Sequence, residues 1–313
     1  DQVGGGFARY SVDRYWLIPH FEKMLYDNAL LLEAYTRGWV DDKEPLFKAV
    51  VEETVGWLER EMGAESGVFF AALDADSGGG EGRYYVWTPD EVATVLGEDE
   101  ARSFCATYNI TEAGNFEKGL SNPALVEAAY PTREGFSRAR RLLREHREGT
   151  RQPPGRDTKV STSWNAMTLR ALADAGFYLD RPDWLRRARA AADCLLERTC
   201  FEDEGKLRVR AVYYEASGSR VDGFLPDYAL LSDALLVLAG KIDWIEPGLS
   251  KQYRGRAAAL LETALKHFGD EATPGYFFTA DDSETPVARR KEWFDNAVPS
   301  GNSAMLQAVT GLY

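Results

Sequence analysis

The chain has 313 residues, 44% hydrophobic and 28% charged, the balance of a globular protein with room for one large domain or two ordinary ones. Its net charge of −13 argues against nucleic acid or an anionic membrane surface as partner, since both require a positive face. No apolar run reaches the roughly eighteen residues a membrane helix needs, and the longest, Tyr228 to Gly240, is broken by Ser232 and Asp233. Cys105, Cys194 and Cys200 are unpatterned and read as reduced thiols, which suits a cytoplasmic protein.

Taken in order, the chain is dominated by helical periodicity of two kinds. Residues 24–38, 163–179 and 227–240 are apolar almost all round, so each is expected to be buried on every face as an inner helix. Each is followed by an amphipathic outer helix, over 45–62, 183–199 and 249–268. There Val51, Val55, Leu58 and Met62, then Trp184, Ala188, Ala191 and Leu195, then Ala257, Leu261, Ala264 and Phe268 recur at helical spacing. Short connections at Asp41–Glu44 and Asp180–Pro182 predict antiparallel helical hairpins. After each outer helix a glycine opens a β-like run at Gly67–Phe70, Gly205–Val209 and Gly275–Phe278. The first is expected to pair with Arg83–Trp87 across the turn Gly78–Gly82, which lacks the residues of a phosphate cradle. Thr88, Pro89 and Glu91 then form a capping box. Arg138–Arg147 reads as a solvated basic helix carrying His146, with Leu142 and Leu143 as its apolar contacts.

Inner helix, outer helix and short strand excursion, repeated at irregular spacing, predict an all-α fold: an α/α toroid with β-hairpin excursions on one rim, in preference to an open solenoid.

Polar groups collect where the inner helices begin. His20, Glu22, Asp27 and Asn28 lie together just before and inside the first, in a chain with three histidines. The others begin with Trp164-Asn165, Asp227-Tyr228 and Ser300-Gly301-Asn302. Helix capping accounts for Ser163, Asp227 and Ser300 singly, but aromatic residues beside amides and carboxylates also describe a carbohydrate site. His20, Glu22, Asp27 and Asp227 are therefore the candidate catalytic groups, with Tyr26, Trp87, Trp164, Asn165, Tyr228 and Asn302 as substrate contacts. Asp27 with Asp227 suits hydrolysis by paired carboxylates, and His20 suits proton transfer beside a sugar carbonyl. A shallow rim of Tyr84, Tyr85 and Trp87 would instead favour binding without catalysis. The run Asp74-Ala75-Asp76 starts like a calcium loop, but Tyr85 stands where its closing glutamate belongs. The histidines lack metal-ligand spacing, so neither a metal nor a cofactor is expected.

Several blocks resemble the spermatogenesis-associated protein 20-like family: Gly5-Gly6-Phe7, Arg9-Tyr10-Ser11-Val12-Asp13, Pro19 through Asp27, Asp74 through Ser77, Glu81 through Thr88, Lys159, Thr162 through Asn165, Asp227-Tyr228-Ala229 and Pro299 through Ser303. The resemblance adds Arg9, Tyr10, Asp74, Asp76 and Lys159 as candidate substrate contacts. It implies an (α/α)6 toroid of the six-hairpin glycosidase type joined in the whole protein to an N-terminal thioredoxin-like domain. Residues 1–313 would be part of the toroid only, the ring incomplete and the thioredoxin-like domain outside this chain. The expected ligand is a small carbohydrate, epimerised, isomerised or hydrolysed. The alternative is a non-catalytic glycan- or protein-binding scaffold for the thioredoxin-like domain.

Overall fold

The computed structural model describes residues 1–126, 130–218, 221–284 and 287–312. In chain order the first elements are β1 (Tyr10–Ser11), β2 (Pro19–His20), β3 (Lys23–Met24), α1 (Leu25–Asp42), α2 (Pro45–Trp57), β4 (Ala72–Leu73), β5 (Asp76–Ser77) and β6 (Gly80–Glu81). There follow α3 (Pro89–Leu96), α4 (Glu98–Thr107), α5 (Tyr130–Gly135), α6 (Ser137–Thr150), β7 (Arg156–Asp157) and β8 (Val160–Ser161). The last are α7 (Thr162–Tyr178), α8 (Pro182–Arg198), β9 (Cys200–Asp203), β10 (Lys206–Val209), β11 (Val212–Tyr213), α9 (Leu225–Ile242), α10 (Ser250–Phe268) and α11 (Gly301–Leu312). The chain forms two compact units. Residues 1–24, 42–61 and 72–157 make the first; residues 25–41, 62–71 and 158–313 make the second.

The second unit contains the inner and outer helices in their clearest form. α7 and α9 are buried around most of their circumference, as their unbroken apolar sequences predict. α8 packs on α7, and α10 on α9, each through the expected stripe: Trp184, Ala188, Ala191 and Leu195 in one, Ala257, Leu261, Ala264 and Phe268 in the other. Gly176 permits the close approach of α7 and α8, because a Cβ there would stand 2.7 Å from the backbone nitrogen of Leu185. α1 departs from expectation. It buries a single stripe (Leu25, Tyr26, Asn28, Ala29, Leu32 and Thr36), while Leu30 and Leu31 stay half-buried. Its inward polar group, Glu33, pairs with Arg170 of α7, which also holds Asp233 of α9 at 2.7 Å. A guanidinium with two carboxylates joins three helices at a largely buried point, where removing any one partner would strand a charge. α11 packs on α9.

The first unit is built on two apolar clusters. One gathers Trp87, Val92, Phe104, Tyr108 and Leu143; the other Phe21, Tyr84, Tyr85 and Val86. The capping box at Thr88 forms as expected: its hydroxyl accepts from the Glu91 backbone N–H and the Glu91 carboxylate accepts from the Thr88 N–H. Two expectations fail. The strand pair of 67–70 with 83–87 is absent. In the second unit, Phe70 donates to the Met62 carbonyl and Ala64 to that of Val68, so that run folds back on residues 62–64. Tyr84-Tyr85-Val86 bends as a turn closed by Gly82, since three consecutive side chains all go inward and no alternating strand allows that. The hairpin that forms across this glycine-rich turn is β5–β6, with Gly78 and Gly79 at its tip, both at positive φ. α6, expected to be solvated, buries Ala139, Arg140, Leu143 and Arg147. The Arg147 guanidinium pairs with the buried Asp1 carboxylate at 3.0 Å and lies 4.5 Å from the Tyr84 ring and 5.3 Å from that of Tyr85, which together explain how a wholly buried cation is accommodated.

Candidate functional site

The candidates fall into two groups. Arg9, Tyr10, His20, Glu22, Asp74, Asp76 and Trp87 lie in the first unit. Tyr26, Asp27, Lys159, Trp164, Asn165, Asp227, Tyr228 and Asn302 lie in the second.

In the first unit, the stretch from His20 to Lys23 alternates. His20 and Glu22 face outward and half-exposed, while Phe21 and Lys23 are buried. The outward pair is thereby brought together: His20 Nε2 lies 3.8 Å from a Glu22 oxygen, which also accepts from Arg9 at 3.2 Å. Antiparallel pairing places Tyr10 opposite His20, and their rings stack with centroids 4.9 Å apart and planes at 20°. The other ring nitrogen, Nδ1, lies 2.9 Å from Glu81. Sequence reasoning did not single out Glu81. It is 61 residues from His20 and sits in a glycine-rich turn that reads only as a connection. The turn is what delivers it. Gly82 has φ +71, and a Cβ there would run into the Phe21 ring, so glycine is required for β6 to come this close to the His20 strand. A carboxylate at Nδ1 favours the tautomer with its proton there and leaves Nε2 as acceptor, the arrangement that lets an imidazole receive a proton.

Lys23, on the buried side, donates to the Gly5 carbonyl at 2.8 Å and to Asp1 at 3.1 Å. Burial pushes its ammonium down to about 7. Asp74 and Asp76 are both exposed, and the Asp76 N–H donates to the Asp74 carboxylate at 3.2 Å. Trp87 is not a sugar-stacking surface. It is wholly buried, with the Arg151 guanidinium 4.0 Å from its ring, and Tyr84 and Tyr85 are buried as well, so the proposed aromatic rim does not exist. The same inward turn of consecutive aromatics that prevents the strand removes the rim.

In the second unit the polar groups at the helix starts serve a different purpose. Asn165 is fully buried. Its carbonyl accepts the Phe69 N–H at 2.8 Å, and its amide donates to the Phe69 and Ser161 carbonyls at 3.0 Å each. Asn302 repeats the device on another excursion. It accepts the Tyr276 N–H at 2.8 Å and donates to the Tyr276 and Glu292 carbonyls at 3.0 and 2.9 Å. The buried Tyr228 hydroxyl accepts the Val209 N–H at 3.3 Å. Asp227 accepts the N–H of Phe224 at 2.9 Å and of Ser163 at 3.2 Å, tying the first turns of α9 and α7 together. Burial outweighs these bonds and pushes its carboxyl up to about 7. These four side chains anchor backbone rather than present free groups to a ligand. Trp164 does remain half-exposed, with the buried Tyr26 edge-on at 4.8 Å and the Lys159 ammonium 5.5 Å from its ring. Asp27, half-buried, lies in the first turn of α1.

Among the described residues, one cluster has metal-like composition: His267, Asp281 and Asp282. Asp281 and Asp282 approach the same nitrogen, Nδ1, at 2.7 and 3.1 Å, and Asp282 is held by both terminal nitrogens of Arg208. The Arg208 guanidinium is thus already paired with one of the two carboxylates.

No protein-family model matches the chain. Human spermatogenesis-associated protein 20 is 30% identical over 348 residues, an alignment that takes in this whole chain and 44% of the human protein. The mouse protein of the same name is 29% identical over 353 residues, again across the whole chain and 44% of its length. The chain is thus similar to spermatogenesis-associated protein 20 from end to end. It spans less than half the length of these relatives. Among solved structures, cellobiose 2-epimerase from Spirochaeta thermophila superimposes with a TM-score of 0.54 at 12% identity, covering 90% of this chain and 52% of that one. A sugar epimerase from a ruminal bacterium gives 0.52 at 12% identity, with 88% and 52% covered. The fold is therefore the α/α toroid that the helix alternation predicts, of the six-hairpin glycosidase type that the family resemblance implies. Among the described residues, no helix is long and apolar enough to cross a membrane.

Proposed function

We propose that this protein acts on a carbohydrate, and that His20 is the group that moves a proton on it. The observation that carries the reading is the His20 cluster: Nδ1 held by Glu81, Nε2 turned toward Glu22, the ring stacked on the exposed Tyr10. A single imidazole with one nitrogen anchored suits abstraction and return of a proton beside a sugar carbonyl, the step common to epimerisation and aldose–ketose isomerisation. Glu22, kept in place by Arg9, is the second proton-handling group. Support comes also from the fold, since its solved neighbours are named as sugar epimerases. In the second unit, Trp164 with Lys159 offers a stacking face and a donor of the kind sugars require. Asp27 remains a candidate acid or base there. Metal and cofactor play no part in this reading.

A second reading is a glycan- or protein-binding scaffold without catalysis, serving a thioredoxin-like domain in the whole protein. It draws on Asn165, Asn302, Tyr228 and Asp227, whose bonds serve the fold. Proton NMR in D2O, with the intact protein and a panel of reducing mono- and disaccharides, separates the two. Loss of the C2 proton signal, abolished by His20→Ala, is the expected result. A new anomeric signal would point to hydrolysis, and an unchanged panel would favour the scaffold.

A further inference from the structure

Among the described residues, the loop joining β1 to β2 carries the most exposed aromatic side chains of the first unit. Tyr15 is 66% and Trp16 84% exposed, although a tryptophan gains more than almost any residue from burial. The loop is nevertheless fixed. The Asp13 carboxylate accepts the N–H groups of Tyr15 at 2.6 Å, Leu17 at 3.1 Å and Ile18 at 2.6 Å, and these bonds hold its pKa below the ordinary value. Trp16 has φ +60, a conformation that bulky residues avoid. The Arg14 guanidinium lies 4.7 Å from the Tyr15 ring and donates to its hydroxyl at 2.6 Å. An aromatic side chain held outward against both strain and solvation, with hydrogen-bonding groups beside it, matches what a sugar ring offers: a C–H face edged by hydroxyls.

Its position gives the feature meaning. Tyr10 pairs with His20, Ser11 with Pro19, and the Val12 N–H donates to Ile18 at 2.9 Å, so the ladder runs unbroken from His20 to the loop. Three steps along the ladder reach Asp13 and Leu17 at the base of the loop, about 10 Å from the His20 pair, and Trp16 follows one residue further on, so the whole span is on the order of two to three sugar residues. We infer that Tyr15 and Trp16 form a platform for a second sugar residue, so that the molecule handled at His20 is a di- or oligosaccharide rather than a monosaccharide. This inference rests on the carbohydrate-directed reading of His20.

The test is ligand-observed NMR titration of the intact protein with a reducing monosaccharide and with the di- and trisaccharides built from it. Wild type is compared with Trp16→Ala, Trp16→Asn and His20→Ala, and turnover is followed in parallel. Asparagine tolerates positive φ, so Trp16→Asn keeps the loop while removing the aromatic face. Wild type is expected to bind the disaccharide more tightly than the monosaccharide. Both Trp16 variants should lose that preference, with disaccharide affinity about tenfold weaker and monosaccharide affinity unchanged. His20→Ala should keep the preference and lose turnover. Length-dependent binding that needs Trp16, without turnover in any form, would sustain the platform and overturn the catalytic reading alone. Disaccharide affinity unaltered by Trp16→Asn would overturn the platform and leave His20 chemistry standing. A clear fall in melting temperature for both Trp16 variants would show the side chain packed against another part of the protein, and would also overturn it. Absence of binding by wild type would overturn both.

Discussion

The β1–β2 hairpin of the first unit and the helix starts of the second are made from the same kinds of residue, and they use them in opposite ways. At Asn165, Asn302, Tyr228 and Asp227 the polar atoms are bonded to main chain, and three of these four side chains are buried. Arg9, His20, Glu22 and Glu81 are joined to one another through their side chains, Glu81 also accepting the Phe21 N–H at 3.4 Å, and the ring of His20 still reaches solvent. A buried amide that satisfies backbone is a structural element, because its loss strands groups that water cannot reach. A half-exposed imidazole between two carboxylates adds little to stability, and on the proposed reading it serves proton transfer. Residue type and position at a helix start do not separate these cases; the identity of the bonding partner does.

The contrast can be broken by substitution. The largest effect is expected for His20→Ala, which should lower turnover about 10²- to 10⁴-fold while moving unfolding free energy by less than about 0.5 kcal/mol. A steady-state assay beside a urea melt measures both, and a large loss of stability would place His20 with the structural residues. Asn165→Ala should do the reverse, costing about 3 kcal/mol by stranding the Phe69 N–H and carbonyl, with the loss visible in the same urea melt.

Asp227 extends the contrast to pH. Its folded-state pKa is raised to about 7, so between about pH 4 and 7 the folded protein binds a proton that the unfolded chain has released. Stability should therefore fall as pH rises through this window, by at most about 4 kcal/mol. Asp227→Asn should flatten that slope in melts taken across the range; an unchanged slope would assign it to another group. Glu81→Gln keeps the shape of the side chain but weakens the hold on Nδ1, and turnover should drop about 10- to 100-fold with the melt unchanged. The smallest effect is expected for Asn302→Ala, about 1–2 kcal/mol, since both Asn302 and Tyr276 are only half-buried and water can partly replace the amide.

Much of this was legible in the sequence. The helix pairs α7–α8 and α9–α10 follow from apolar period, because a stripe of one width demands one packing partner and an all-round apolar surface demands several. The capping box at Thr88 could be read because every atom involved lies within four residues. Glu81 could not, since its partner is 61 residues away and only three-dimensional closure of a glycine turn brings them together. Nor could Arg147, whose charge suggests solvent, while the two tyrosine faces that receive it come from a distant segment. The amide clamps lay between these cases. Asn165 stood out beside Trp164, and Asn302 within Ser300-Gly301-Asn302-Ser303, and these polar helix starts suggested a sugar site. Which groups their amides bond is decided by excursions 96 residues away in one case and 26 in the other.

The clamps have a further consequence. Each asparagine grips its excursion by the N–H and C=O of one residue, atoms that every amino acid other than proline provides alike. The attachment is therefore indifferent to which side chains the excursion displays. At the half-buried Tyr276 such a segment can vary beyond its root without change to the helices beneath it, whereas at Phe69 the buried side chain adds a packing constraint to the same clamp.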